Sequence, residues 1–335
     1  MSVPERTDRL AASEVLQRRE HVAVIGGGTI GASWAALFLA NGLEVRLSDP
    51  SPGVEEAARS AVAHIAPTLD ALGLATDDLD RRLSFPGTLE EALDGADLVQ
   101  ENGPENFSFK RELWPRVEQA VAEDALLLSS SSGIRASAMA KEMADPGRLL
   151  IGHPFNPPHL VPLVEVVPGP ATDPALVDEA VAFYRALGKH PLVLNKEVPG
   201  FVANRLQSAL FRECVHLVAE GVVGMGDLDA IVTSSIGLRW AVAGPFLTFH
   251  LGGGRGGLPH FLDHLGPGME SMWKILGDPS FDPDTVQLLR DEVEAAYGSS
   301  TLAELERRRD AMQLAVLRAL ADQPGVVDEG GGSAG

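Results

Sequence analysis

The chain has 335 residues, 45% hydrophobic and 22% charged, and its 27 Lys and Arg against 47 Asp and Glu give a formal net charge of -20. This composition supports a sizeable core and two domains of ordinary size. The acidic balance excludes nucleic acid and anionic membranes as partners, because phosphate binding needs clustered Lys and Arg.

Residues 1–20 are polar and charged throughout and read as an N-terminal extension without the apolar stretch of a signal peptide. No run in the chain approaches the roughly 18 uninterrupted apolar residues of a membrane span. A cytoplasmic protein acting on a small molecule is the expectation.

From residue 21 to 197, short apolar runs alternate with longer amphipathic ones. HVAVIG, LEVRLSD, RLSFPG, DLVQEN, ALLLSS, RLLIGH, LVEVV and PLVLN predict strands. TIGASWAALFLANG, SPGVEEAARSAVAHIA, FKRELWPRVEQAVA and DPALVDEAVAFYRALG predict helices between them. Such alternation predicts an α/β domain with a doubly wound, largely parallel sheet of the Rossmann type.

The first of these units carries a glycine motif. Gly26, Gly28 and Gly31 stand in the spacing G-x-G-x-x-G between a predicted strand and a predicted helix. Gly26 permits a tight turn, Gly28 lets a pyrophosphate approach the backbone, and Gly31 lets helix and strand pack closely. The helix opens at Thr29 and Ile30, where its free N–H groups suit phosphate. The second predicted strand ends in Asp49, about 20 residues on, where a carboxylate accepts from the adenosine ribose hydroxyls and repels a 2′-phosphate. NAD is therefore the expected cofactor, and NADP is less favoured although Arg46 is close in sequence.

In open α/β sheets the reacting groups belong at the carboxyl ends of strands. LLLSSSSGI, LLIGHPFNPP and the segment after PLVLNKEVPGF carry unusual polar content there. His153 directly follows a predicted strand, and prolines exclude a helix from the next residues. Glu165 falls in the next extended run, LVPLVEVV, where a charge among valines and leucines needs a partner. A His–Glu pair meets that need, fixes the histidine tautomer and suits general acid–base work.

The character changes at Val198-Pro199-Gly200. PGFVANRLQSALFRECVHLVAEGVV predicts a long helix, with Val202, Leu206, Leu210, Val218 and Val222 at helical spacing. The lone cysteine, Cys214, lies in it, allows no internal disulfide and is expected to pack. Residues 198–324 are expected to be all-helical, ending in TLAELERRRDAMQLAVLRALA, and residues 325–335 to form a disordered tail.

SSSSG, GHPFNPP with LVEVV, and PGFVANRLQ, together with the glycine motif, resemble the 3-hydroxyacyl-CoA dehydrogenase family from about residue 21 to at least 298. The resemblance implies that His153 is the catalytic base and Glu165 its orienting partner, with Ser131 and Asn204 holding the substrate oxygen. Register within the serine run leaves Ser130 as a neighbouring possibility. It also implies that Glu105 and Lys110 lie on the nicotinamide side of the cofactor, and that the helical domain forms a homodimer.

Two features separate this chain from the acyl-CoA enzymes. Residues 51–95 hold no lysine and only Arg59, Arg81 and Arg82, a poor surface for the phosphates of CoA. SSIGLRWAVAGP, with Arg239 and Trp240, is similar to the branch containing lambda-crystallin (L-gulonate 3-dehydrogenase) and L-carnitine dehydrogenase. That branch implies small free hydroxy acids, with Arg239 clamping a carboxylate bidentately. Ketoreductases that tailor aromatic polyketides are also similar, so a polyketide 3-keto acid and an acyl thioester stay open as substrates. A crystallin-like NAD(H)-binding protein is the non-enzymatic alternative.

Other chemistries find little support. His260 and His264 in HFLDH lie one helical turn apart, but no third ligand has suitable spacing, so no metal site is expected. No G-x-S-x-G elbow makes the serine run a hydrolase nucleophile.

Overall fold

The structure is a computed structural model, and it describes residues 6–321. In chain order the elements are α1 (Arg6–Gln17), β1 (His21–Ile25), α2 (Thr29–Ala40), β2 (Glu44–Ser48), α3 (Val54–Ala71), β3 (Leu83–Ser84), α4 (Leu89–Leu93), β4 (Leu98–Glu101), α5 (Phe107–Ala120) and β5 (Leu126–Ser129). There follow α6 (Ala136–Met139), β6 (Leu149–Pro154), β7 (Leu163–Pro168), α7 (Pro174–Ala186), β8 (His190–Val193) and α8 (Ala203–Ala219). The last helices are α9 (Met225–Ser234), α10 (Ile236–Val242), α11 (Pro245–Gly252), α12 (Gly257–Trp273), α13 (Pro283–Tyr297) and α14 (Leu302–Ala321). The chain divides into two compact units, one running to Asn204 and the other from Arg205 onward.

The first unit is built on one sheet in the order β3-β2-β1-β4-β5-β6-β7-β8. Every pair is parallel except β6 with β7, which is antiparallel. All eight predicted strands are present, although RLSFPG keeps only two residues, Leu83 and Ser84, as the edge strand β3. Strand side chains alternate between faces, and this divides the core. Val22, Val24, Val45, Leu47, Leu126 and Leu128 pack toward α2, α3 and α7, while Ala23, Ile25, Val99, Leu127, Leu149 and Ile151 pack toward α5 and α6. Helix α2 is buried nearly all round, with Trp34, Ala35, Ala36, Phe38 and Leu39 inaccessible, which explains its uniformly apolar sequence.

Two helix boundaries depart from the sequence expectation for a clear reason. Helix α3 continues past Pro67 to Ala71, keeping Leu69 fully buried. The long helix after Pro199 starts later, at Ala203, because Gly200 and Phe201 both have positive φ, 73° and 49°, which an α-helix cannot accommodate.

The second unit is helical throughout its described residues. Packing is tightest between α11 and α12, where the Phe249 and Phe261 rings lie 4.9 Å apart, and α9 is tied to α13 by the Met225 amide donating to Glu292. The stripe predicted to face inward on the long helix divides: Val218 is buried, whereas Leu206 is 61% exposed. Among the described residues no single helix is long and apolar enough to cross a membrane. The expected tail, residues 325–335, lies outside the described residues.

Candidate active site

The parallel strands β1, β4, β5 and β6 end on one edge of the sheet, and β7, being antiparallel, begins there. The predicted polar residues of the first unit collect along this edge. Its β1 end is the glycine turn. Gly26 has φ of +91°, and a Cβ there would meet the Asn102 carbonyl oxygen at 2.7 Å. A Cβ on Gly31 would meet the Gly26 oxygen at 1.9 Å, so only glycine lets α2 sit this close to β1. Nothing lies within 4 Å of the space above Gly28, and no side chain caps the first turn of α2, where Thr29 is exposed and Ile30 half-buried. Open space beside uncapped N–H groups is what a pyrophosphate requires.

Asp49 closes this end. Its carboxylate accepts the Gly27 and Ser51 amides, each at 2.8 Å. Burial would raise its pKa, but those hydrogen bonds outweigh burial and leave the carboxyl below its usual value, ionised and able to take a ribose hydroxyl. Arg46 lies within β2 and donates to the Asp94 carbonyl, so its guanidinium is committed away from a 2′-phosphate. These residues fit NAD.

At the other end, the β6–β7 register sets His153 directly opposite Glu165. Both are buried, and His153 Nδ1 lies 2.8 Å from Glu165 Oε2. The second carboxylate oxygen accepts the amides of Val202 and Ala203, at 3.0 Å each, so Glu165 also caps the start of α8. Burial pushes the Glu165 carboxyl up, but the His153 ring and the two amides more than offset it, leaving the carboxyl below the usual carboxylate value. An ionised Glu165 accepts a hydrogen bond from the Nδ1–H and leaves Nε2 as the ring's acceptor. Phe155 and Phe201 pack on the imidazole at 5.0 and 5.5 Å between ring centroids. Asn204, one residue into α8, brings its Nδ2 to 3.5 Å from His153 Nε2 and donates to the Ser132 carbonyl at 3.1 Å.

The serines lie between these ends and separate by role. Ser130 Oγ accepts from Trp34 Nε1 and Gln100 Nε2 and donates to Asn102, which uses its hydrogen-bonding capacity in the core. Ser131 Oγ donates to Glu105 Oε1 at 2.8 Å, and no hydrogen bond joins it to His153 or Asn204. The same Glu105 oxygen accepts the amides of Ser132, Gly133 and Ile134, so it organises the whole serine turn. Lys110 is 1% exposed, and its ammonium is 2.6 Å from Glu101 and 3.7 Å from Glu105.

Glu101 was not singled out from sequence, yet it anchors this region. It is inaccessible, and it accepts from Lys110, from the Gly103 amide at 2.7 Å and from Ser129 Oγ at 2.5 Å. Its signal was present in DLVQEN, where Gln100 and Glu101 interrupt an apolar strand as Glu165 does. Arg239 and Trp240 belong to the second unit, on α10, where both are exposed and Arg239 makes no ion pair among the described residues. No cluster of metal-ligating side chains occurs among the described residues.

Comparison with known proteins places the chain in a family. The family model for the 3-hydroxyacyl-CoA dehydrogenase NAD-binding domain matches residues 21–198, and that for the C-terminal domain matches residues 200–283. The chain is 45% identical over 323 residues to L-carnitine dehydrogenase of Streptomyces griseus subsp. griseus, covering 96% of each chain. To L-carnitine dehydrogenase of Pseudomonas aeruginosa it is 42% identical over 300 residues, covering 90% of this chain and 94% of the relative. Among solved structures, 5-formyl-3-hydroxy-2-methylpyridine 4-carboxylic acid 5-dehydrogenase, described as an NAD+-dependent dismutase, is 31% identical with a TM-score of 0.76, covering 91% of this chain and 99% of that one. This chain belongs to the 3-hydroxyacyl-CoA dehydrogenase family and is an NAD-dependent oxidoreductase acting on a CH–OH group.

Proposed function

We propose that this protein is an NAD-dependent dehydrogenase of a small free 3-hydroxy carboxylic acid, with His153 as its general base. The observation that carries the chemistry is the buried His153–Glu165 pair at 2.8 Å, with Asn204 beside the free ring nitrogen. Bound NAD+ supplies the two-electron oxidant. Nε2 of His153 takes the hydroxyl proton, and Glu165 stabilises the imidazolium that results. Asn204 donates to the oxygen where charge develops. Ser131 joins it by exchanging its bond to Glu105 for one to the substrate. In the reverse direction the protonated His153 returns its proton to the carbonyl oxygen.

The cations of residues 51–95 support a free acid over a CoA thioester. Arg59 is paired with Glu55 and Asp80, Arg81 with Asp78, and Arg82 donates to the Leu39 carbonyl. Arg59 and Arg82 are held within the unit and Arg81 pairs only at the surface, so this stretch is poor in cations for a phosphorylated adenosine. L-carnitine, named in the relatives, is itself a free 3-hydroxy carboxylic acid. Arg239, exposed and without an ion pair among the described residues, supplies the carboxylate clamp.

A panel of free 3-hydroxy acids including L-carnitine, set against 3-hydroxyacyl-CoA thioesters, tests this by NADH formation. Turnover on thioesters alone sinks the free-acid assignment. His153→Ala is expected to retain NADH binding and to lose about 100-fold or more in kcat. Arg239→Ala is expected to raise KM for the carboxylate substrate.

The helical unit leaves Leu206, Phe211, Phe246, Leu251, Trp273 and Ile275 exposed, with Phe246 at 79% and Ile275 at 72%. Apolar exposure on this scale supports a homodimer formed through that unit. Sedimentation of the purified protein as a monomer at micromolar concentration would remove the dimer.

A further inference from the structure

The loop of residues 155–162 carries the chain from His153 on β6 back toward Glu165 on β7, and it is fastened by groups the chemistry above leaves unused. Ser33, in α2, is 1% exposed. Its Oγ accepts the backbone N–H of His159 at 2.9 Å and lies 2.8 Å from His159 Nδ1. With one lone pair taken by that amide, the hydroxyl proton is free to go to Nδ1, which closes a pair of hydrogen bonds between α2 and the loop.

Lys189 holds the same loop from the other side. It precedes β8, is buried, and donates to the carbonyls of Pro158 and Val161. Its Nζ lies 5.9 Å from the ring centroid of Trp34, the neighbour of Ser33 in α2. Burial pushes the lysine pKa down to about 7. A buried lysine is costly to fold, and here it is used on two carbonyls of one short loop.

The loop matters because the β6–β7 register places His153 opposite Glu165. A slip of one residue would turn Glu165 to the other face of the sheet. Displacements of about 1 Å at a reacting group cost on the order of 100-fold in rate.

We propose that Ser33, His159 and Lys189 are positioning residues for the His153–Glu165 pair, tying its loop to α2 on one side and to the entry of β8 on the other. The helix that opens at the dinucleotide turn thereby also holds the loop of the proton-transfer centre. The proposal rests on His153 being the group that moves the proton.

Ser33→Ala removes the α2 side of the clamp, and Lys189→Met removes the β8 side, neither adding bulk. Fluorescence titration with NADH counts folded, binding-competent sites, so turnover is expressed per site. In each variant kcat is expected to fall about 10-fold, KM for NAD+ to stay within about two-fold, and the pH profile of kcat to move by about half a unit. Ser33→Cys keeps a weak donor and acceptor and is expected to fall between wild type and Ser33→Ala. A role in folding alone reduces the number of sites and the melting temperature while kcat per site and its pH profile stay as in wild type. That result in Ser33→Ala and Lys189→Met, or the loss of all sites in all three variants, overturns the proposal. His153→Ala separates the two readings. Wild-type turnover there overturns both, whereas low turnover there with unchanged kcat per site in the clamp variants overturns the clamp alone.

Discussion

Glu165 and Ala203 are joined by a 3.0 Å hydrogen bond from amide to carboxylate, and the other oxygen of the same carboxylate holds His153 at 2.8 Å. One buried side chain therefore orients the imidazole and caps the helix that carries Asn204. The hydrogen bond to the His153 ring and those from the two α8 amides together outweigh burial, which explains how a carboxylate 2% exposed stays ionised.

The two functions separate by substitution. Glu165→Gln keeps an oxygen for the α8 amides but sets an amide against Nδ1, and kcat is expected to fall about 100-fold. Glu165→Ala loses the cap as well and should unfold more easily than Glu165→Gln by about 1–2 kcal/mol in urea titrations. Acid adds an independent check. The folded carboxyl has a lowered pKa, so its stabilisation is complete above the unfolded carboxylate value and is lost as pH falls through the folded one. Wild type should therefore lose more stability than Glu165→Gln between about pH 5 and pH 3, read from melting temperatures.

The proposed NAD site gives Asp49 the task of setting the cofactor preference. Asp49→Ala removes a charged acceptor, whose hydrogen bonds contribute about 1.5–3 kcal/mol each. KM for NAD+ should rise about 10-fold or more. The ratio of kcat/KM for NAD+ over NADP+ should narrow, because the repulsion of a 2′-phosphate goes with the carboxylate.

Lys110 and Glu101 form an ion pair with side chains 1% and 0% exposed. Lys110→Met leaves Glu101 buried without its cation and should destabilise the first unit by about 3–5 kcal/mol. Adding Glu101→Gln should restore much of the loss. Urea unfolding followed by the fluorescence of the buried Trp34 and Trp114 measures both.

Lys189 makes stability depend on pH in the alkaline direction. Its folded pKa of about 7 lies below the ordinary lysine value of 10.5. Between these values the unfolded chain binds the proton and the folded chain does not, so folded stability rises with pH across that window. The melting temperature of wild type relative to Lys189→Met should climb from about pH 7 to pH 9. A flat difference would show that the buried lysine keeps its charge.

Much of this protein was legible because its signals are local. The strand runs, the glycine turn and Asp49 each follow from spacing along a few residues, and the structure holds them where the spacing implied. Asn204 was reached through family resemblance. Ser33, His159 and Lys189 were not reached, since each acquires its meaning from a partner far along the chain: Lys189 from Pro158 and Val161, Ser33 from His159. The serine run shows the limit most clearly. Ser130 and Ser131 are indistinguishable as letters, and the sheet commits Ser130 to Trp34, Gln100 and Asn102 while Ser131 meets Glu105.

The amino-acid sequence by itself determined the alternation of strands and helices, the fit to NAD and the identity of the His–Glu pair, because periodicity, glycine spacing and a charge among valines are one-dimensional signals. Only the tertiary structure decided which charges are spent. It pairs Lys110 with Glu101, occupies Arg46, Arg59 and Arg82 within the first unit, and gives Glu165 a second task at α8. The physical reason is that an ionised group acquires a role from its burial and its partners, and both are set by residues distant in sequence.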